Sequence, residues 1–360
     1  MAPQNQLNLY DARKDMQLIP GASVIRQLVL LITTRCNLCC KYCYLPIGGK
    51  KIDMAPQTME QALKRAASGG GRPHVQISGG EPTLNREMIF RTVCKAGEIV
   101  PGATVALQTN ATLIDDDLAR FLRQNSVQVG ISLDGLRQVH EKQRGCFEKT
   151  LAGMEKLESF DVPWWVTAVV TSDSIGGLWR LVLLLSRYRT ARGIGLDFVS
   201  CKGQAPINSI KSPSAEAVRQ GIMQMLETLD MINWHRTTAI RFREADTLAV
   251  MRTCYAGSSF CSACKGESMA IHPDGSVYPC SQFCGEEPYL VGDIYGKIDY
   301  SRLRLGLTPS EGNDCPACPL HERCPGDCPS RLLYNDIAAQ NAVCTLYQTI
   351  YRHQQKEQLS

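Results

Sequence analysis

The stretch Gln27 to Cys43, QLVLLITTRCNLCCKYC, predicts a buried strand that runs directly into a cysteine-rich loop. Its first half is a short apolar run, typical of strands that are covered on both faces. Three cysteines follow with C-x3-C-x2-C spacing: Cys36, Cys40 and Cys43. Because functional groups in parallel α/β folds gather at the carboxyl ends of strands, we expect this loop to be a functional site.

The chain beyond this loop alternates between strand and helix patterns. We predict five more strands, each followed by a helix: Val75–Ser78, Thr104–Gln108, Val127–Leu133, Trp164–Val170 and Ile194–Val199. A long amphipathic helix is predicted over Ser214–His235. This alternation predicts an α/β fold with a parallel sheet and right-handed crossovers. Repetition alone leaves an open sheet and an incomplete barrel as alternatives.

Composition excludes several classes of protein. The 360 residues are 44% hydrophobic and 21% charged, which is ordinary for a globular chain. The net charge of +4 is too small to indicate a binding surface for a polyanion, so we expect no nucleic acid partner. We find no secretory signal peptide and no run of the ~20 apolar residues that a membrane helix needs. We therefore expect a cytoplasmic protein without a membrane partner.

Cysteine usage divides the chain. Of the 17 cysteines, ten fall between Cys254 and Cys344, in a segment with many Gly and Pro residues and weak helical periodicity. Such a segment has little apolar material for a core, so we expect bound metal to organise it. We predict an N-terminal extension over residues 1–23, an α/β domain over 24–240 and a cysteine-rich domain over 241–360.

Cys36, Cys40 and Cys43 can hold three corners of a cubane [4Fe–4S] cluster, which usually takes four thiolates. Three ligands would leave one iron open to a substrate or cofactor. The alternative is a zinc site or free thiols, since Cys39 has C-x2-C spacing with Cys36.

A glycine pair ends the second predicted strand, in Ser78-Gly79-Gly80-Glu81-Pro82. Glycines let a ligand approach the backbone closely. Their amides can meet a carboxylate and Glu81 can accept from an ammonium group, as an α-amino acid ligand requires. A plain turn between strand and helix is the alternative interpretation.

The cysteine trio followed by Gly-Gly-Glu-Pro resembles the radical S-adenosylmethionine (AdoMet) superfamily. The resemblance implies a partial (β/α)6 TIM-like barrel in which the open iron chelates AdoMet, whose reductive cleavage yields a 5′-deoxyadenosyl radical. Tyr42 stands in the family's aromatic position before the third cysteine. Asn110, Ser132 and Arg144 are the further AdoMet contacts that the resemblance implies, alongside Gly79, Gly80 and Glu81.

The cysteines of the last hundred residues resemble the SPASM extension of radical AdoMet enzymes, which commonly holds two auxiliary [4Fe–4S] clusters. The resemblance implies three clusters in all. It assigns one auxiliary cluster to Cys264, Cys280 and Cys328, and the other to Cys315, Cys318, Cys324 and Cys344. Cys261 or Cys254 would be the eighth ligand, and Cys261 is preferred; otherwise one iron stays open. A zinc site formed by Cys315, Cys318, Cys324 and Cys328 is the alternative.

SPASM proteins mostly act on peptides, so we predict a maturase that crosslinks side chains of a ribosomally made precursor peptide through C–C, C–O or thioether bonds, cyclophanes included. Serine at 281, where sulfatase maturases usually carry a basic aspartate, weakens the alternative of a sulfatase-maturase-like protein oxidase. A small-metabolite radical enzyme and a non-catalytic iron–sulfur protein are further alternatives.

Catalytic bases and partners are less specified. Asp197 and Glu244 are the candidate bases, although the first fits a satisfied buried group and the second a solvated residue. The expected partners are the precursor peptide and an electron donor such as flavodoxin or ferredoxin. Because only 26 residues precede Gln27, we expect no fused leader-recognition domain there. Recognition would use the barrel mouth, the cysteine-rich domain or a separate leader-recognition protein.

Overall fold

The computed structural model describes residues 24–45, 50–253, 259–305 and 315–357. The described strands form one ten-stranded sheet in the order β10-β9-β8-β1-β2-β3-β4-β5-β6-β7. The strands are β1 (Gln27–Leu31), β2 (His74–Ser78), β3 (Thr104–Thr109), β4 (Gln128–Ser132), β5 (Trp164–Val170), β6 (Ala191–Phe198), β7 (Arg241–Phe242), β8 (Ser268–Ile271), β9 (Ser276–Tyr278) and β10 (Gly292–Asp293).

Twelve α-helices lie in the described ranges. They are α1 (Pro56–Ala67), α2 (Arg86–Ile99), α3 (Asp116–Gln124), α4 (Arg137–Gln143), α5 (Phe147–Ser159), α6 (Leu178–Leu185), α7 (Gln204–Ile207), α8 (Ala215–Trp234), α9 (Arg243–Thr253), α10 (Ser262–Lys265), α11 (Pro329–Tyr334) and α12 (Ile337–Glu357). Short 3₁₀ helices occupy Pro82–Asn85, Ile175–Gly177, Ser281–Phe283, Glu287–Tyr289 and Tyr300–Leu303.

Strands β1 to β6 pair in sequence order, and every pairing among them is parallel. Each of the six is followed by at least one helix before the next strand begins. The predicted α/β fold with a partial (β/α)6 barrel is therefore confirmed, and its functional face is the edge where the carboxyl ends of these strands meet.

The two faces of the parallel sheet differ in chemistry. The face that packs against the helices is apolar, and it contributes Leu28, Ile77, Leu107, Val166 and Ile194 to the main core. The alternate residues point to the inner face, because successive side chains of a strand alternate. There the sheet carries Gln76, Gln108, Ser132, Thr167 and Asp197, all partly exposed. The polar inner face is where a ligand can bind.

The cysteine-rich segment extends this same sheet. Strand β8 pairs in parallel with β1, with Gln27 opposite Ser268, and β9 pairs antiparallel with β8. A small apolar cluster of Ala263, Phe283 and Leu305 lies beside the cysteines. The sequence analysis expected bound metal to organise this segment; strand pairing and apolar packing contribute to its order as well.

The last helix is longer than predicted. The apolar pattern indicated a start near Cys344, whereas α12 begins at Ile337. The carboxylate of Asp336 accepts a hydrogen bond from the backbone N–H of Ala339 at 2.8 Å, which satisfies a free amide of the first turn. Within the described ranges, no helix is long and apolar enough to cross a membrane.

Candidate active site

The loop of Cys36, Cys40 and Cys43 leaves the carboxyl end of β1, as predicted. The backbone N–H of Cys43 donates to the carbonyl of Cys40 at 3.1 Å, which closes a turn between two of the thiols. The N–H of Leu38 lies 3.4 Å from the sulfur of Cys36. Burial raises the pKa of Cys36, and the negative charges of Cys40 and Cys43 raise it further. The three thiols are therefore close enough to interact electrostatically.

The glycine pair after β2 makes room for this loop. A Cβ at Gly80 would lie 2.3 Å from the carbonyl oxygen of Arg35, and one at Gly79 would lie 2.4 Å from that of Thr33. Gly79 also has a φ of +153°, which side chains rarely adopt. In this structure the two glycines therefore let the cysteine loop pack against the end of β2, a different role from the predicted approach of a ligand.

Glu81 joins the ends of β2 and β3. Its side chain is 1% exposed. One carboxylate oxygen accepts from the hydroxyl groups of Thr83 and Thr109, both at 2.6 Å, and the other accepts from the backbone N–H of Asn110 at 2.8 Å. The sequence analysis expected Glu81 to accept from a ligand ammonium group. The structure gives its oxygens protein donors instead, which makes it a positioning residue.

The predicted contacts Asn110 and Ser132 also engage protein groups. The Asn110 amide donates to the side-chain oxygen of Asn37 at 2.9 Å, which ties the end of β3 to the cysteine loop. The hydroxyl of Ser132 accepts from the Gln108 amide at 3.1 Å and stays partly exposed on the inner face. Of these two side chains, Ser132 is therefore the one open to a ligand.

A buried group of three side chains supports the cysteine loop from the end of β4. The carboxylate of Asp134 accepts from Arg144 at 3.0 Å, from the hydroxyl of Tyr42, and from the backbone N–H of Val169 at 2.9 Å. A guanidinium nitrogen of Arg144 lies 3.9 Å from the sulfur of Cys40. The predicted AdoMet contacts Tyr42 and Arg144 thus meet beside a predicted cluster ligand.

The donor set of the first loop fits an iron–sulfur cluster. Burial raises the pKa of Cys36 to about 11, and it also raises the pKa values of Cys40 and Cys43. Thiols that resist ionisation alone are deprotonated by a bound metal centre, whose positive charge replaces the lost hydration. Arg144 and the N–H of Leu38 supply further stabilisation for thiolate charge. Within the described ranges, no group of three His, Cys, Asp or Glu side chains is positioned to hold a single metal ion.

A second thiol group forms around α10 in the C-terminal segment. Cys261 precedes this helix and lies beside Cys264, the third residue of the helix. Their interaction lowers the pKa of Cys264 to about 7 and raises the pKa of Cys261. Cys280 and Cys328 are close enough for their charges to act on Cys264. Burial raises the pKa of Cys280 to about 12. Cys254, the other candidate for the eighth ligand, lies outside the described residues.

A third thiol group brings together Cys315, Cys318, Cys324 and Cys344. The pKa of Cys344 is raised to about 12. Burial is the largest cause, and the charges of Cys315, Cys318 and Cys324 add to it. The side-chain amide of Gln348 lies 3.6 Å from the sulfur of Cys318. The division of the C-terminal cysteines between these two groups is the one that the resemblance implied.

The C-terminal segment contacts the barrel beside the first loop. Tyr44, one residue after Cys43, lies close enough to Ser281 for that side chain to oppose the rise that burial causes in the pKa of Tyr44. The ammonium group of Lys202, which is 9% exposed on its side chain, bonds the carboxylate of Glu286 and lies 4.8 Å from the ring centre of Tyr334. These contacts hold the residues after Cys280 against the strand ends of the barrel.

The two candidate bases lie at the end of β6. Glu244 is 4% exposed, and one of its oxygens accepts from the backbone N–H of Leu196 at 3.1 Å and from Arg243 at 2.8 Å. It is therefore buried and bonded, contrary to the solvated alternative, and cannot reach a substrate. Asp197 pairs with Arg243 at 2.8 Å yet keeps half of its side chain exposed.

Sequence reasoning missed Arg243, which bonds both carboxylates, and Lys202. Arg243 lies in Arg241-Phe242-Arg243-Glu244, whose alternating charges are typical of an exposed helix start. The local pattern carries no signal that this arginine turns onto the inner face. Pairing of β7 with β6 decides its role, because it brings the Arg243 side chain over Gly195, within reach of Asp197.

A parallel βα barrel with thiols at the end of its first strand, and two more thiol groups in a C-terminal segment that extends the same sheet, is the architecture of a class of metal-cluster enzymes. Residues 30–176 match the family model of the radical SAM superfamily. The chain is 31% identical over 297 residues to the uncharacterized protein MJ0907 of Methanocaldococcus jannaschii, a match that covers 80% of this chain and 94% of that protein. The chain belongs to the radical SAM superfamily and is an enzyme; this membership implies AdoMet and a [4Fe–4S] cluster as cofactors.

Other similar proteins are maturating enzymes. The serine-type anaerobic sulfatase-maturating enzyme of Klebsiella aerogenes is 27% identical over 351 residues, covering 87% of this chain and 80% of that enzyme. Among solved structures, anSMEcpe with bound AdoMet and Cp18Cys peptide superposes with a TM-score of 0.71 at 22% identity, covering 92% of this chain and 97% of that one. Streptococcus suis SuiB bound to precursor peptide SuiA gives a TM-score of 0.66 at 18% identity, covering 88% and 74%. The fold is thus the radical SAM barrel with a C-terminal SPASM domain.

Proposed function

We propose that this enzyme abstracts a hydrogen atom from a ribosomally made precursor peptide and joins two of its side chains. The observation that carries the proposal is the loop of Cys36, Cys40 and Cys43 at the end of β1, supported by Arg144. It occurs in a chain similar to maturating enzymes along 87% of its length. The same proposal includes a domain boundary between residues 240 and 241 and a cytoplasmic location. It also includes two partners: an electron donor such as flavodoxin or ferredoxin, and a separate leader-recognition protein.

In the first site, Cys36, Cys40 and Cys43 would hold a [4Fe–4S] cluster with one open iron. When bound there, AdoMet supplies a 5′-deoxyadenosyl radical after one-electron reduction. Arg144 is kept protonated by the adjacent Asp134, although burial alone would lower its pKa, so it offers a permanent positive charge beside Cys40. Ser132 offers a hydroxyl group on the inner face, and Glu81 keeps the ends of β2 and β3 in place.

In the C-terminal segment, two groups of four thiols would each hold an auxiliary [4Fe–4S] cluster. We assign Cys261 as the eighth ligand, because it lies beside Cys264 and its charge acts on Cys280. Both auxiliary clusters would then be fully ligated by thiolates. Full ligation favours a role in electron transfer over direct binding of the substrate.

Formation of a crosslink removes two hydrogen atoms from the peptide. One hydrogen atom goes to the deoxyadenosyl radical and forms 5′-deoxyadenosine. When the substrate radical bonds to its partner atom, that atom releases a proton and one electron remains. The four thiols around α10 would hold the acceptor for this electron, next to the inner face of the barrel.

Oxidation of a serine or cysteine in a target protein is the second candidate, favoured by the similarity to the Klebsiella enzyme. Ser281 weighs against it. A serine hydroxyl is a poor general base, and here it lies beside the buried Tyr44. Reaction of a small metabolite is a further outcome of the test below, whereas membership of an enzyme superfamily argues against the non-catalytic alternative.

The test uses anaerobically reconstituted, reduced enzyme with AdoMet and the peptide encoded beside its gene. We expect 5′-deoxyadenosine, together with a peptide that has lost two hydrogen atoms and does not react with a hydrazide. A hydrazide-reactive aldehyde would indicate oxidation of a serine or cysteine. Absence of 5′-deoxyadenosine, with Cys43→Ala enzyme as the blank, would refute the proposed chemistry.

A further inference from the structure

The inner face of β6 is shaped to receive an arginine. Ile194, Leu196 and Phe198 point to the helix side and belong to the main core, so Gly195 and Asp197 face inward. A Cβ at Gly195 would lie 2.7 Å from the guanidinium carbon of Arg243 and 2.8 Å from its Nη1. The guanidinium therefore lies flat over β6 because residue 195 has no side chain.

Arg243 uses only part of its hydrogen-bonding capacity. Its Nη2 donates to Asp197 Oδ1 at 2.8 Å and to the carbonyl of Leu196 at 2.6 Å, and its Nε donates to Glu244 at 2.8 Å. Nothing in the described ranges accepts from Nη1, and nothing there donates to Asp197 Oδ2. The two side chains are 41% and 50% exposed, so both atoms are open to the inner face.

Electrostatics argues for binding rather than proton transfer at this pair. Burial alone would raise the pKa of Asp197, but the positive charges of Arg243 and Arg331 outweigh it, and the pKa is lowered. A carboxylate with a lowered pKa is a weak base that stays ionised at neutral pH. Asp197 is therefore a permanent hydrogen-bond acceptor.

The pair lies between the first thiol loop and the second thiol group. Arg144, beside Cys40, is close enough for its charge to act on Asp197. Arg331, three residues after Cys328, donates to the carbonyl of Phe198, next to Asp197, at 3.4 Å. A group bound here would lie between the first thiol loop, where the radical is proposed to form, and the thiols around α10, which are proposed to hold the electron acceptor.

We propose that Arg243 and Asp197 bind a main-chain peptide group of the substrate, an inference that rests on the proposed function. Nη1 donates to the substrate carbonyl, and Oδ2 accepts from the substrate N–H. A carboxylate ligand is disfavoured, because the free Oδ2 of the ionised Asp197 would face the negative charge of that ligand. A neutral group with an adjacent donor and acceptor is what the open atoms complement.

The test measures binding of N-acetyl-triglycine amide to the cluster-loaded, AdoMet-bound enzyme by ligand-observed NMR, which needs no turnover. In Asp197→Asn, the side-chain oxygen still accepts from Arg243, and an NH2 group replaces the free acceptor Oδ2. This NH2 group would face the N–H of the bound peptide group. We expect binding to weaken at least about tenfold, the scale of a hydrogen bond to a charged group. Asp116→Asn, which breaks the 2.7 Å surface pair with Lys156, is the matched control and keeps wild-type binding.

Two further arms complete the design. Gly195→Ala displaces the guanidinium without removing its charge, and it should weaken binding to a similar degree. A series of probe analogues replaces each amide in turn by an ester. For the wild type, we expect one of these replacements to weaken binding. For Asp197→Asn, we expect all the analogues to bind equally. Absence of probe binding, wild-type binding by Asp197→Asn, or displacement of the probe by free glycine overturns the inference. If 5′-deoxyadenosine still forms, the proposed function survives that failure.

Discussion

Tyr42 and Asp134 share a buried hydrogen bond between residues 92 positions apart in the sequence. The phenol lies in the cysteine loop after β1, and the carboxylate follows β4. Asp134 also holds Arg144 at 3.0 Å, and the guanidinium lies 5.1 Å from the ring centre of Tyr42. A single buried carboxylate thus fixes both the aromatic residue and the cation that flank Cys40.

The first prediction compares the partners of this carboxylate. Asp134→Ala leaves the buried Arg144 without its counter-charge, so we expect the free energy of unfolding to fall by about 3–5 kcal/mol. Tyr42→Phe removes one hydrogen bond and should cost about 1 kcal/mol. Anaerobic urea unfolding of the cluster-loaded enzyme measures both values. Equal losses would contradict the central role of Asp134.

The second prediction concerns the packing of the cysteine loop against β2. Gly80→Ala places a methyl group 2.3 Å from the backbone carbonyl of Arg35, which cannot move without the loop. We expect loss of about four iron atoms per chain from the first site, with the auxiliary sites retained. Gly97→Ala in α2 is the control, since a Cβ there meets nothing within 4 Å. It should keep its iron and gain up to about 1 kcal/mol of stability.

The third prediction is a pH dependence of stability from His140. Its ring is buried against Phe147 with both nitrogens unpartnered in the described part of the chain, and burial lowers its pKa from 6.5 to about 4. Between these values the unfolded chain binds a proton that the folded protein excludes. Stability present above pH 6.5 is therefore lost as the pH falls toward 4.

We expect wild type to lose about 1.3 kcal/mol more than His140→Phe between about pH 7.5 and about pH 5.5. Urea unfolding at the two pH values measures the difference. His235→Gln, at an exposed position, should follow the wild type. Parallel pH profiles for wild type and His140→Phe would refute the assignment.

The fourth prediction separates the proposed cluster ligands from their neighbours. Three cubane clusters require ~12 iron atoms per chain. Cys40→Ser should remove ~4 of them, whereas Cys39→Ser should remove none. Cys344→Ser should remove ~4 from a different cluster. Iron analysis of anaerobically purified variants decides, and zinc in place of iron in the wild type would contradict the whole assignment.

The sequence predicted the barrel because its signals are local. Strand β1 is an apolar run, and β2 and β4 alternate between apolar and polar residues. The acidic start of α3 is capped by Asp115, which accepts from the N–H of Leu118 at 3.0 Å. The pairing of β8 with β1 joins residues whose positions differ by more than 200, and no local pattern encodes it.

The site was predicted in part for the same reason. The grouping of cysteines followed from spacing and resemblance, and the structure brings the members of each group near one another. The roles of Glu81 and Glu244 depend on which donors the fold places around each carboxylate. A buried carboxylate that bonds backbone N–H groups has the same sequence signature as one that binds a ligand, so only the fold separates the two roles.

The pairing of β8 with β1 also limits how the cysteine-rich segment can move relative to the barrel. Adjacent strands lie about 4.8 Å apart and are locked by backbone hydrogen bonds. The C-terminal thiol groups are therefore not carried on a tethered lobe that swings toward the barrel. In the proposed function, the separation between the first thiol loop and the thiols around α10 is therefore fixed by the sheet and not by a hinge.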